Sequence, residues 1–162
     1  MFSLVAAVLA IALSGAALWA TVSYVPADRD VRIAMISQMY SQLTAMQTAA
    51  VCYAHANAGT YPPVSSWQSD LTPSYVFLPT PPAGMSLTYG SGAYSSTVTD
   101  EWFCLSAPST PAEQAALNAA ATRFSSQQAV LASSCGTPPP GGASGTALTL
   151  WLPLSPTQVG CP

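Results

Sequence analysis

MFSLVAAVLAIALSGAALWATVSYV, residues 1–25, contains no charged side chain, and after Pro26 and Ala27 it gives way to DRDVRIAMISQMYSQLTAMQTAAVCY, residues 28–53, in which apolar and polar positions alternate at helical spacing. The first stretch reads as a transmembrane helix and the second as its water-facing continuation. Residues 2–25 in helical form span roughly 36 Å at ~1.5 Å per residue, enough to cross a hydrocarbon core of ~30 Å with some tilt. Ser14-Gly15-Ala16 and Val25-Pro26-Ala27 resemble signal-peptide cleavage sites, but no Lys or Arg precedes Arg29, and the apolar run is long for a signal peptide. A buried core helix fits less well, because the rest of the chain is too small to enclose a helix that is apolar all round. The expected division is a membrane segment over residues 1–27 and a body over residues 28–162.

Orientation rests on two signals that oppose one another. Arg29 and Arg32 lie on the C-terminal side of the apolar run, which by the positive-inside rule places the body in the cytoplasm. Cys52, Cys104, Cys135 and Cys161 form an even set in a small Pro-, Ser- and Thr-rich body, the usage of an exported disulfide domain. The cysteines carry more weight, and a cleaved basic leader before Met1 would supply the missing cytoplasmic charge. Of the three possible pairings, the expected one joins Cys52 to Cys104, helix to hairpin, and Cys135 to Cys161 around the last strand.

Composition excludes several classes of function. Nine of the 162 residues are charged, there is no Lys, and the net charge is −3. Three Arg residues make no basic patch, so no nucleic-acid partner is expected. A weakly charged surface does little to oppose self-association and suits a subunit of an assembly.

Along the body, Asp28 or Asp30 is expected to cap a helix restarted after Pro26. Met39, Leu43, Met46, Ala50 and Tyr53 form one apolar stripe, and Asn57 and Gly59 end the helix. Prolines from Pro62 to Pro82 predict a loop with at most one short strand near Tyr75–Leu78. Met85–Tyr89, a turn at Gly90-Ser91-Gly92 and Thr97–Leu105 predict a hairpin. Thr110-Pro111-Ala112-Glu113 has the order of a helix start, with Leu117, Ala121, Phe124 and Leu131 on its buried face and Gly136 at its end. Residues 138–145 read as a linker and Ala147–Leu152 as a last strand. The fold class is α+β: a long N-terminal helix, apolar then amphipathic, packed on a small antiparallel sheet with a second helix and disulfides.

No residue set points to catalysis, a metal or a cofactor. His55 is the only histidine and lies near a helix C-terminus, where it favours the helix dipole. Asp100 and Glu101 are adjacent on a strand and face opposite sides. No two cysteines have metal-ligand spacing.

An apolar N-terminal helix passing through a proline into an amphipathic helix, followed by a loop, a hairpin and a C-terminal cysteine loop, resembles a type IV pilin. Met1-Phe2-Ser3-Leu4 is similar to the start of a processed pilin, and a Cys135–Cys161 bridge would match the disulfide that frames the pilin C-terminal region. Most pilins carry Glu at the fifth mature position; this chain has Val5 there, or Ala6 counting from Phe2. The resemblance implies a filament subunit handled by the pilus assembly machinery, held in the inner membrane with a periplasmic body and then exported in the filament. Its assembly helix would run from Phe2 through Val25 and Pro26 to about Ala56, with the small residues Ala6, Ala10, Ser14, Gly15 and Ala17 permitting close approach of neighbouring copies. The chain is also similar to the PilM-type anchored biogenesis proteins of type IVb pili. An exported binding module is the alternative outside that machinery.

Overall fold

The computed structural model describes residues 27–107, 110–140, 144–153 and 161. The membrane and assembly positions named above, Phe2 to Pro26, lie outside the described residues. Among the described residues, no helix is long and apolar enough to cross a membrane. The chain divides into two units, Met1–Ile33 and Ala34–Pro162. In the first, Ala27–Ile33 is helical, with Val31 and Ile33 exposed. Asp28 and Asp30 are themselves helical residues, so neither takes the capping place expected of it.

Helix α1, Ala27–Ala56, supplies one layer of the second unit from Ala34 onward. Ile36, Met39, Leu43, Met46 and Ala50 are buried at successive turns, and Tyr53 is packed against the core at the end of that stripe. The spacing of three and four residues places them on one helix face, as the sequence predicts. Ala58 (φ 55°) and Gly59 (φ 86°) then adopt left-handed backbone, and the Gly59 N–H donates to Ala54 O at 2.7 Å. That bond and the Asn57 side chain, which donates to Tyr53 O at 2.8 Å, satisfy carbonyls left open where the helix stops.

The proline-punctuated stretch that follows contains a short helix instead of a strand: α2, Trp67–Leu71. Trp67 and Leu71, four residues apart, are both buried, and the Ser66 hydroxyl donates to the Asp70 carboxylate at 2.7 Å. Beyond α2 the loop returns to α1, where Gln42 Nε2 donates to Thr80 O at 2.6 Å.

Four antiparallel strands follow: β1 Ser86–Ala93, β2 Thr99–Ser106, β3 Ala129–Ala132 and β4 Ala147–Trp151, in the order β1-β2-β4-β3. Helix α3, Pro111–Ala121, lies between β2 and β3 in sequence. Its start matches the sequence reading: the Thr110 hydroxyl accepts from Glu113 N–H at 3.4 Å and also pairs with the Glu113 carboxylate. Its end does not. The helix expected to reach Gly136 stops at Ala121; Gln128 and Ala129 N–H both bond Ser125 O at 3.0 Å, and the chain turns into β3. As a strand, Val130 and Leu131 fill both faces beside β4, where a continued helix would bury only one of them.

The hairpin forms, but its turn is elsewhere. Gly90 and Gly92 lie inside β1, opposite Trp102 and Asp100, and the chain reverses at Tyr94–Val98. The glycines make room for an indole instead of a turn. A Cβ on Gly90 would lie 2.4 Å from the Trp102 ring, and one on Gly136 would lie 2.9 Å from it. On the other face, Tyr89, Phe103, Leu105, Leu148 and Leu150 join the α1 stripe and Trp67 in one core. Tyr89 and Phe103 have ring centroids 4.8 Å apart, with Trp67 5.7–5.8 Å from each.

Gly90→Ala is therefore expected to destabilise the fold by about 1–3 kcal/mol through overpacking against Trp102. Urea denaturation with the disulfides intact measures this, and an unchanged midpoint would show that the indole can move aside.

Candidate functional site

The four cysteines are the predicted site residues that the structure locates. They pair as Cys52–Cys161, with Cα atoms 5.4 Å apart, and Cys104–Cys135, with Cα atoms 5.7 Å apart. Both expected pairings, Cys52–Cys104 and Cys135–Cys161, are thereby corrected. The reason lies in strand alternation. Phe103 and Leu105 point to the face that α1 covers, so Cys104 between them points to the opposite face, with the sheet between it and Cys52. That opposite face is where Cys135 lies.

Residues 133–137 lie over this outer face. The Gly136 N–H donates to Thr149 Oγ1 at 3.0 Å, and Trp151 Nε1 donates to Thr137 O at 3.1 Å. Trp102, directly opposite Trp151 across β2 and β4, is packed between Gly90 and Gly136, and its buried Nε1 has no hydrogen-bond acceptor among the described residues. Tyr94 closes the end of the patch, edge-on to Trp151 at 5.4 Å. The Cys104–Cys135 bridge and three aromatic rings therefore make a half-buried second layer on this face, beside which Thr88 stays exposed.

The acidic pair Asp100 and Glu101, which the sequence reading set aside, joins Tyr61 and Tyr89 in a polar cluster at the start of β2. Asp100 is buried; its Oδ1 accepts from Glu101 N–H at 2.9 Å, while Oδ2 is buried with no partner. Burial raises the Asp100 carboxyl to about 6, against the lowering effect of the Glu101 N–H bond, and the Glu101 carboxylate adds to the rise. Burial, followed by the nearby acidic groups, also pushes the Tyr61 and Tyr89 hydroxyls well above the usual range. Both tyrosines remain protonated donors, Tyr61 to Pro153 O at 2.7 Å and Tyr89 to Pro62 O at 2.9 Å. The only hint of this cluster in the sequence was an acidic pair in an apolar strand.

A recess of about 320 Å³ between α3 and β3 is lined by apolar residues including Phe124 and Leu131, with Asn118 beside them. Another of about 280 Å³ lies along residues 65–72. Neither is lined by His55, Asp100 or Glu101, so no titratable pair of this body faces those recesses. His55 is exposed in the last turn of α1. Among the described residues, no three His, Cys, Asp or Glu side chains are grouped to hold a metal. No protein family, curated protein or solved structure matches the chain.

Two predictions follow from this geometry. Non-reducing peptide mapping is expected to recover Cys52–Cys161 and Cys104–Cys135. In the chain-entropy treatment, Cys161→Ser should cost up to about 5 kcal/mol and Cys135→Ser about 4 kcal/mol in urea unfolding, because the first bridge closes the longer loop. Asp100 makes stability depend on pH. Its folded carboxyl is raised from 3.8 to about 6, so the stability it contributes is complete below about pH 4 and is lost as pH rises through about 6. Asp100→Asn should flatten that decline and leave the variant about 1–2 kcal/mol more stable than the parent near pH 7.5. Parallel pH profiles of the two proteins would expose the error.

Proposed function

We propose that this protein is a non-enzymatic structural subunit of a type IV pilus-like filament, assembling through its apolar N-terminal segment. The observation that carries the reading is the division of labour along α1. From Ile36 onward the helix is bound into a disulfide-closed body, whereas the turns before it expose Val31 and Ile33. Those turns continue directly in sequence from 25 residues that contain no charge. Val31 and Ile33 are exposed among the charged residues Asp28, Arg29, Asp30 and Arg32, and the uncharged stretch before them has a composition that suits packing against other copies of itself.

In this reading, Phe2 to Val25 are drawn from the membrane into a filament core, and Ala6, Ala10, Ser14, Gly15 and Ala17 let neighbouring backbones approach. No Glu at position 5 is available to pair with a neighbour's terminal amine, so subunit register comes from helix shape and from contacts between bodies. The α+β body contributes rigidity and surface. Few charges oppose close packing of such bodies: nine Asp, Glu and Arg in the whole chain.

Gly15→Leu tests the reading. Leu is at least as compatible with lipid as Gly, so membrane insertion should persist while close helix approach is lost. Filaments sheared from cells and counted by negative-stain microscopy should fall at least tenfold, while Gln68→Leu, an exposed change in α2, leaves them unchanged. Normal filaments from Gly15→Leu, or no filaments from the unaltered protein, would point to a permanent membrane anchor.

A further inference from the structure

The two edges of the sheet differ in kind. Strand β3 is four residues long, and of its outward-pointing groups the Ala129 N–H is already bonded to Ser125 O. Strand β1 is eight residues long. The bond from Tyr94 N–H to Val98 O sets its phase: even-numbered residues of β1 exchange hydrogen bonds with β2. Leu87, Tyr89, Ser91 and Ala93 therefore turn their N–H and C=O groups outward, and no described residue pairs with that edge. An edge of this length is ordinarily blunted by a charge, a proline, a bulge or a covering element. SLTYGSGA, Ser86–Ala93, has neither charge nor proline, and it pairs with β2 residue for residue without a bulge.

We propose that the β1 edge is an interface with a second copy of this chain, the two β1 strands pairing antiparallel about a two-fold axis at Gly90. The strand can meet a second copy of itself in full register. When paired residue numbers sum to 180, Leu87 faces Ala93 and Tyr89 faces Ser91, so all four outward residues of each strand meet outward partners; a slip of two residues leaves three. The strand is thus complementary to itself. At the axis, glycine faces glycine and Thr88 faces Gly92, so the bulky groups that meet on the outer face are the two Trp102 indoles, each lying over its own Gly90. No charged side chain lies on the strand, so self-pairing brings no like charges together. The β3 edge offers only the Leu131 N–H and two carbonyls, too few groups to match β1. The outcome is one continuous eight-stranded sheet across two bodies. The contact stands on the sheet alone and holds whether or not the N-terminal segment builds a filament.

Hydrogen exchange by residue on the purified full chain in mild detergent, with sedimentation equilibrium over a dilution series, tests it. Leu87, Tyr89, Ser91 and Ala93 amides should be slow when the protein is paired and at least tenfold faster after dilution, while Thr88, Gly90 and Gly92 stay slow throughout. Ser91→Pro removes an outward N–H and leaves the inward ladder intact. It should keep Thr88, Gly90 and Gly92 protected and lose the pairing. Free exchange of the four outward amides at every concentration would overturn the proposal, as would undiminished pairing of a folded Ser91→Pro. Protection of Leu131 together with β1 would replace it with a head-to-tail β1–β3 contact. If Ser91→Pro unfolds, Ala93→Lys decides: it places a charge on the exposed edge, and a folded Ala93→Lys that pairs as the parent does sinks the idea.

Discussion

Strand β2 must bury both of its faces, and the rest of the body is arranged around that requirement. Phe103 and Leu105 point one way and Trp102 and Cys104 the other, so a helix layer alone would leave two bulky side chains in water. The first pair meets the α1 stripe, Trp67 and Tyr89. The second meets a loop instead of a helix. Glycines at positions 90 and 136 admit the Trp102 indole, and the Cys104–Cys135 bridge holds the loop over it. A loop has a weak hold on a sheet, and a covalent bond plus the Gly136–Thr149 and Trp151–Thr137 hydrogen bonds supplies what packing alone would not.

With so few charges, polar side chains tie down irregular segments of the described residues. Gln42 bonds the Thr80 carbonyl, Tyr89 the Pro62 carbonyl and Tyr61 the Pro153 carbonyl. Each satisfies a carbonyl of a proline-interrupted stretch that strand or helix pairing does not reach. Such bonds are insensitive to salt and nearly so to pH. Asp100 is the exception, a carboxyl left half-partnered in the core, and it ties the body's stability to proton concentration.

The body's layers are tied by two disulfides, its outer sheet face is partly covered by residues 133–137, and the two recesses described face no titratable pair. What it leaves open among the described residues are Val31 and Ile33 in the charged first turns of α1 and the edge of β1. In the proposed function both serve association with like chains.

The elements whose signals are local were legible in the sequence. The Met39–Tyr53 helix stripe, the Asn57–Gly59 stop, the Thr110 cap and the β4 strand each depend on residues within a turn or two of one another. The α+β class, the hairpin and the oxidised cysteines were legible for the same reason. The misreadings share a cause as well. Gly90 and Gly92 looked like a turn because glycine permits one, but only the indole across the strand shows what the missing side chains are for. Val130 and Leu131 continued a helical pattern until β4 offered them two faces to fill. Cysteine pairing depended on which side of the sheet Cys104 faces, which alternation beside Phe103 implied but only the position of α1 made decisive. The sequence by itself determined where the chain is apolar and with what period. Only the tertiary structure decided which surfaces those periods face, because a face acquires meaning when a partner covers it.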